Sequence, residues 1–445
     1  MGEPRVAPGP RGRDLVRGAS RAAAFLPGYF QALAREHGDV VRIEAGPVRA
    51  FLLNGPEHAQ ALLVDQDHLF QKGRAERRFT RRLLGEGVLG SEGDFHSRQH
   101  ALLFPVLHGS ALDPYARAVT DGGLRMQSPW VEGESVDVFS LLARTTTEIM
   151  IESLFGVLVE QADGRELALA LADTVDALEH APLPFLPGTD RLPLPANRRF
   201  DRARRRLDRL ILREVRERRL SPGHHASLLA SLVRARYPRG GTMRDRQARD
   251  EALSIFRGHK TAGTALSWAW YLLARHPDVE ATVLEEIDSA LGGREPTFDD
   301  LPRLPLCRRV VDEGMRLFPP AWMLARRAME DVDIGGFAIP AGSTAITSAF
   351  VIHRDARCHP EPRRFDPDRF LPERRAGWHP FAYFPFGGGP KMCLGDEFAP
   401  FEAVLLMATI GSRWRLRLDP SHRVAPAPGA TLQPRGGLHM IVERR

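Results

Sequence analysis

Cysteine is scarce in this 445-residue chain: only Cys307, Cys358 and Cys393 occur, and no two of them are spaced as CxxC. That excludes a disulfide framework and a thiolate zinc site, and it fits a reducing cytoplasm. Long apolar runs are also missing. The stretch Ala22 to Leu26 is stopped at once by Pro27 and Gly28, too short to cross a bilayer, and no signal peptide or membrane anchor is apparent. There is no sustained alternation of strand and helix, which argues against a doubly wound sheet. Internal repeats and linkers are absent too, so the economical organisation is a lead-in over residues 1–20 and one domain over 21–445. Lysine is rare: Lys72, Lys260 and Lys391 are the only three, against many arginines.

What is present is the composition of an ordered enzyme-sized protein, 43% hydrophobic and 27% charged. The net charge of +6 is spread along the chain, so no nucleic-acid partner is implied. Apolar residues at helical spacing predict helices over 140–155, 165–180, 197–219, 246–274, 277–291, 306–317 and 396–410. Two strands are expected over 40–46 and 48–53, and shorter strand-like pieces over 333–345, 414–416 and 439–442. The fold class is therefore mostly α with a small β-rich region. The 197–219 segment is strongly basic, yet Phe200, Leu207, Leu210 and Ile211 recur at helical spacing, so its arginines read as a solvated face. A nucleic-acid or membrane-surface role is the minor alternative there.

The chemically richest segment is Phe386-Gly-Gly-Gly389-Pro-Lys391-Met392-Cys393-Leu-Gly395. A phosphate-binding loop would need Ser or Thr after the lysine, and Met392 stands there; a dinucleotide loop needs a GxGxxG spacing that is absent. What remains is a cysteine at the base of a glycine-permitted turn, with a cation two residues before it and a helical pattern after it. Backbone N–H groups of such a turn favour a thiolate. Cys307 and Cys358 lack any such setting and read as inert.

This segment resembles the haem-binding signature FxxGxRxCxG of the cytochrome P-450 family, matched at Phe386, Gly389, Cys393 and Gly395, with Lys391 where arginine is usual. Glu313-Gly-Met-Arg316 resembles the family's ExxR, and Phe365 to Phe370 its later PxRF-like segment. By resemblance, Glu313, Arg316 and Arg369 form a structural network, and Cys393 is the axial ligand of the haem iron. His96 and His100, four apart on one helix face, could be a zinc pair by spacing alone. The resemblance makes them haem-propionate partners, together with Arg326 and Lys391, while Phe386 lies against the cofactor. Arg257 to Ala262 resembles the family's oxygen-activating helix segment. It places Gly258 at the local kink, Thr261 at the functional alcohol and Lys260 where an acid is usual. Lys260 either relays protons through a desolvated amine or turns away to pair with a carboxylate.

The resemblance implies a single-domain P-450 fold holding haem b and inserting one oxygen atom from O2 into an apolar small molecule of terpenoid, fatty acyl or polyketide type, in secondary metabolism. Electrons would come from a ferredoxin or flavodoxin and its reductase, to a cytoplasmic monomer without an anchor. Two alternatives stay open: a peroxide-using or rearranging haem-thiolate enzyme, suggested by Lys260, and a non-catalytic haem sensor. Residues 84–89, 183–186, Phe256 and 320–324 are the apolar candidates for the substrate site.

Overall fold

The computed structural model describes residues 5–11, 13–46, 48–179, 192, 194–220, 227–237 and 240–445. Candidate lining residues 183–186 therefore lie outside the described residues. The chain forms two compact units. The first comprises Met1–Gly73, Met126–Leu142 and Thr261–Arg445, and the second Arg74–Arg125 and Ala143–Lys260. No helix of the described residues is long and apolar enough to cross a membrane.

The first unit carries the β structure. Val40–Ala45 and Val48–Leu53, the two strands expected there, form an antiparallel hairpin that pairs Val40 with Leu53. Thr344–Thr347 adds to it in parallel, followed by Leu324–Ala328 and Phe70–Gln71. This sheet is buried on both faces. Phe51 and Leu53 enter one apolar cluster with Leu62, Phe70 and Phe384, whereas Val41 and Leu52 enter another with Phe30 and Trp322. Successive strand side chains point to opposite faces, which is why the hairpin reads as a nearly continuous apolar run. A second sheet orders Ser135–Asp137, His439–Arg444 and Trp414–Leu418, so the expected terminal strands pair with each other.

Helices fall close to their sequence boundaries: Val138–Phe155, Ala162–Glu179, Pro195–Leu220, Pro277–Leu291 and Pro305–Leu317. Three places differ. The expected 246–274 helix is two helices, Asp245–Phe256 and His259–Arg275. The amide of Gly258 reaches back only three residues, to the Ile255 carbonyl at 3.0 Å, and the His259 ring binds the Phe256 carbonyl. Glycine weakens a helix interior, and here the weakness becomes a full interruption.

The second difference is at the last helix, Phe398–Gly411, which begins two residues later than the pattern suggested. The third is at the start of the chain. Helix Arg13–His37 begins inside the segment read as a lead-in. Ala7 is buried, the Arg42 amide donates to the Pro8 carbonyl at 2.7 Å, and the Arg5 amide donates to the Gly336 carbonyl at 2.9 Å. Proline and glycine remove helical periodicity but leave backbone groups free to bond a sheet edge, so this segment carried no readable signal.

Candidate active site

In the first unit, the loop before the last helix presents Cys393. Its amide donates to the Phe386 carbonyl at 3.0 Å, closing a turn of eight residues, and the Gly395 N–H donates to Sγ at 3.4 Å. Gly389 makes that turn possible. Its φ is +69°, and a Cβ there would fall 2.0 Å from the Leu63 carbonyl oxygen. Only glycine lets the loop lie that close. Cys393 keeps an accessible side chain although protein surrounds it densely. Burial pushes its thiol pKa up, the Gly395 N–H works against that, and Asp396 adds to it. Helix Phe398–Gly411 starts beyond the sulfur, so one backbone N–H, rather than a whole helix end, is aimed at it.

The other cysteines differ. Cys307 is fully buried, with its pKa raised by burial and by Glu286, and Cys358 is pushed up to about 11 by burial.

Lys391 places its ammonium on Asp67, at 2.6 and 2.7 Å from the two carboxylate oxygens. Nothing in the sequence linked these residues, which are 324 positions apart. Phe386 is half-buried at the mouth of the same turn. Arg326 sits in strand Leu324–Ala328 with its side chain buried. One terminal nitrogen reaches the Ala325 carbonyl at 3.0 Å, and its buried Nε has no hydrogen-bond partner. A buried guanidinium with an open donor is costly unless an anion meets it. The accessible thiol and this guanidinium, both in the first unit, fit the iron and a carboxylate of a haem.

Glu313, Arg316 and Arg369 are brought together. Arg316 grips both Glu313 oxygens at 2.6 and 2.7 Å and spends its remaining donors on the carbonyls of His353, Pro362 and Arg364. Arg369 approaches Glu313 at 3.6 Å and donates to the Pro360 carbonyl, and the Asp366 amide also donates to Glu313. Glu313 and Arg316 are both 0% exposed. The spacing suggested only a helical ion pair; the fold makes it the knot that ties the 353–369 segment to helix Pro305–Leu317.

Thr261 is half-buried near the start of helix His259–Arg275, Lys260 and Gly258 are exposed, and His259 is buried. Burial, and then the neighbouring cations Lys260 and Arg257, push the His259 pKa down to about 4, so its ring is neutral at physiological pH. Sequence reasoning passed over this histidine, because an isolated imidazole carries no pattern. In the second unit, His96 and His100 share one face of helix Gly93–Leu103, with ring centres 5.9 Å apart. Nδ1 of His96 lies 2.9 Å from the Val88 carbonyl. A carbonyl can only accept, so Nδ1 carries the proton. No cluster of three His, Cys, Asp or Glu side chains suited to a bare metal ion occurs among the described residues. Of the apolar candidates, Trp322 turns into the core cluster beside Phe30 rather than staying free to line a cavity.

Known proteins bear on this geometry. Cyclooctatin synthase of Streptomyces melanosporofaciens is 35% identical over 99% of this chain and 95% of its own length. Cyclooctat-9-en-7-ol 5-monooxygenase of the same organism is 34% identical over 96% and 94%. The crystal structure of the cytochrome P450DA haem domain superposes with a TM-score of 0.88 at 25% identity, covering 100% of this chain and 99% of that one. The profile described as Cytochrome P450 matches residues 20–440, a span that takes in both units, and the chain therefore belongs to the cytochrome P450 family of haem-dependent monooxygenases.

Proposed function

We propose that this monooxygenase binds haem b through Cys393 and oxidises a cyclic terpenoid-type substrate with electrons from a separate ferredoxin or flavodoxin and its reductase. The observation that carries the reading is the accessible Cys393 thiol, held in a glycine turn that directs one N–H at its sulfur. When bound there, a thiolate-ligated haem supplies activation of dioxygen and delivery of one of its atoms to an unactivated C–H bond.

The chain's own residues supply the rest. The Gly395 N–H spreads the negative charge of the sulfur and so tunes its donor strength. Arg326 offers its open Nε to one propionate, and Lys391 offers an ammonium whose charge Asp67 already tempers. His96 and His100 are further proposed propionate partners. Thr261 supplies the hydroxyl that would hold a proton for the reaction, and the exposed Lys260 either relays protons or pairs with a carboxylate. The interruption at Gly258 gives that stretch its room.

Terpenoid substrates are favoured over fatty acyl or polyketide ones by the relatives, one of which is named for a 5-monooxygenation of cyclooctat-9-en-7-ol, a cyclic unsaturated alcohol. A cytoplasmic monomer in secondary metabolism is the corresponding setting. The test is the carbon monoxide difference spectrum of the reduced protein beside Cys393→Ala. A strongly red-shifted Soret band in wild type, lost in the variant, is expected. A wild type that holds haem but lacks the band would overturn the thiolate assignment.

A further inference from the structure

In the second unit, residues 85–91 lie flat on helix Asp245–Phe256, and the closeness is enforced from both sides. A Cβ on Gly85, whose φ is +71°, would fall 2.4 Å from the carboxylate of Asp250. A Cβ on Gly87 would meet the Ser254 hydroxyl at 2.2 Å and the Asp250 carbonyl at 2.5 Å. Two successive carboxylates of the helix then capture the loop backbone. Asp250 accepts from the Glu86 amide at 2.9 Å, and Glu251 accepts from the Val88 amide at 2.8 Å. Val88 also offers its carbonyl to Nδ1 of His96 at 2.9 Å. One residue thus joins the helix carboxylate to the histidine.

We infer that Asp250 and Glu251 form a clamp on the 85–91 loop, and that Glu251 is a positioning residue which, through Val88, sets the loop and His96 as one unit. This rests on the reading above in which residues 84–89 border the substrate and His96 meets a haem propionate. The two carboxylates have separate tasks. Asp250 is neutralised by Arg249, which also binds Asp208 on helix Pro195–Leu220. Glu251 is completely buried, and its hydrogen bonds come from neutral donors, the Val88 amide and the Gln247 side chain.

The charged and titratable groups around the clamp are Asp250 and Arg249 on the same helix, Glu86 and Arg81 on the loop side, His96 on helix Gly93–Leu103, and Asp208 and Arg204 on helix Pro195–Leu220. Burial first, opposed by the Val88 and Gln247 hydrogen bonds and assisted by Asp250, raises the Glu251 pKa to about 7. Lifting the loop hydrates the carboxyl and returns it toward its ordinary value, so the closed loop binds the proton more tightly than the open one. By linkage the clamp holds most firmly below about pH 4.5 and loosens progressively as pH rises to about 7, above which this group adds no further change.

The test is hydrogen exchange of the peptide covering 85–91 in the haem-loaded enzyme between pH 5 and 8, corrected for the intrinsic rate. It is read beside spectral titration with 4-phenylimidazole and the carbon monoxide spectrum. Wild type should exchange progressively faster as pH rises to about 7 and then level off. Glu251→Gln, which keeps an acceptor but cannot ionise, should lose that step, and Glu251→Leu should exchange roughly tenfold faster at every pH, with weaker 4-phenylimidazole binding. Unchanged exchange in Glu251→Leu overturns the inference. If that variant does not fold, a pH step that persists in Glu251→Gln overturns it equally. A wild type that shows the step but no red-shifted carbon monoxide band keeps the clamp and discards the haem-thiolate reading.

Discussion

Two buried carboxylates, Glu313 in the first unit and Glu251 in the second, sit in equally dry surroundings with opposite kinds of partner. Glu313 is gripped through both oxygens by Arg316, with Arg369 and the Asp366 amide completing its shell. Glu251 meets an amide and a glutamine, with Asp250 rather than a cation next to it. Burial raises the Glu251 pKa, and no cation among its described partners stands at the same depth to offset it. The first arrangement suits a scaffold that must not change, and the second a contact that must be able to.

The largest break in that comparison is Arg316→Leu. It strands Glu313 without its cation and should cost about 3–5 kcal/mol. Denaturant melts should show it, and little haem-loaded protein should be recovered; a melt within about 0.5 kcal/mol of wild type would mean that Glu313 is not held charged by Arg316.

A smaller effect separates the buried carboxyl from the buried imidazoles by pH. Glu251 has a raised pKa, so the stability it contributes is complete below about 4.5 and is lost as pH rises toward 7. His259 and His359 have theirs lowered to about 4, chiefly by burial, so their contribution is complete above about 6.5 and is lost as pH falls to 4. Thermal melts across this range should fall away on both sides, and Glu251→Gln should flatten only the alkaline side. An unchanged alkaline slope in that variant would assign it to another group.

The smallest effect is expected at the surface. Arg357 binds Asp39 through two hydrogen bonds, of 2.6 and 2.9 Å, but its side chain is 62% exposed. Arg357→Ala should cost less than about 1 kcal/mol, because water and salt already screen the pair. A cost above about 2 kcal/mol in the same melts would show that bidentate geometry outweighs exposure here.

Much of the site was readable because its signals are short-range. Cys393 stands in a turn whose residues are all neighbours, and Glu313 and Arg316 are one helical step apart. The hairpin and most helices were readable for the same reason, since apolar period reports which face is buried. Long-range partners were not readable. Asp67 beneath Lys391 carries no local mark, and neither does the Glu251 contact to Val88, across 163 positions. The run Gly85, Gly87, Gly90 could have hinted at a backbone lying against something, but not at what.

By itself, then, the sequence determined a mostly helical P450 chain with one plausible thiolate and a helical ion pair, because turn chemistry and periodicity are local. The tertiary structure decided which charges are neutralised and which are left to titrate. It also split one long apolar pattern at Gly258 and seated the first residues on the sheet. Those outcomes depend on groups that meet only after the chain has closed on itself, where burial removes water and leaves each carboxylate to the partners the fold provides.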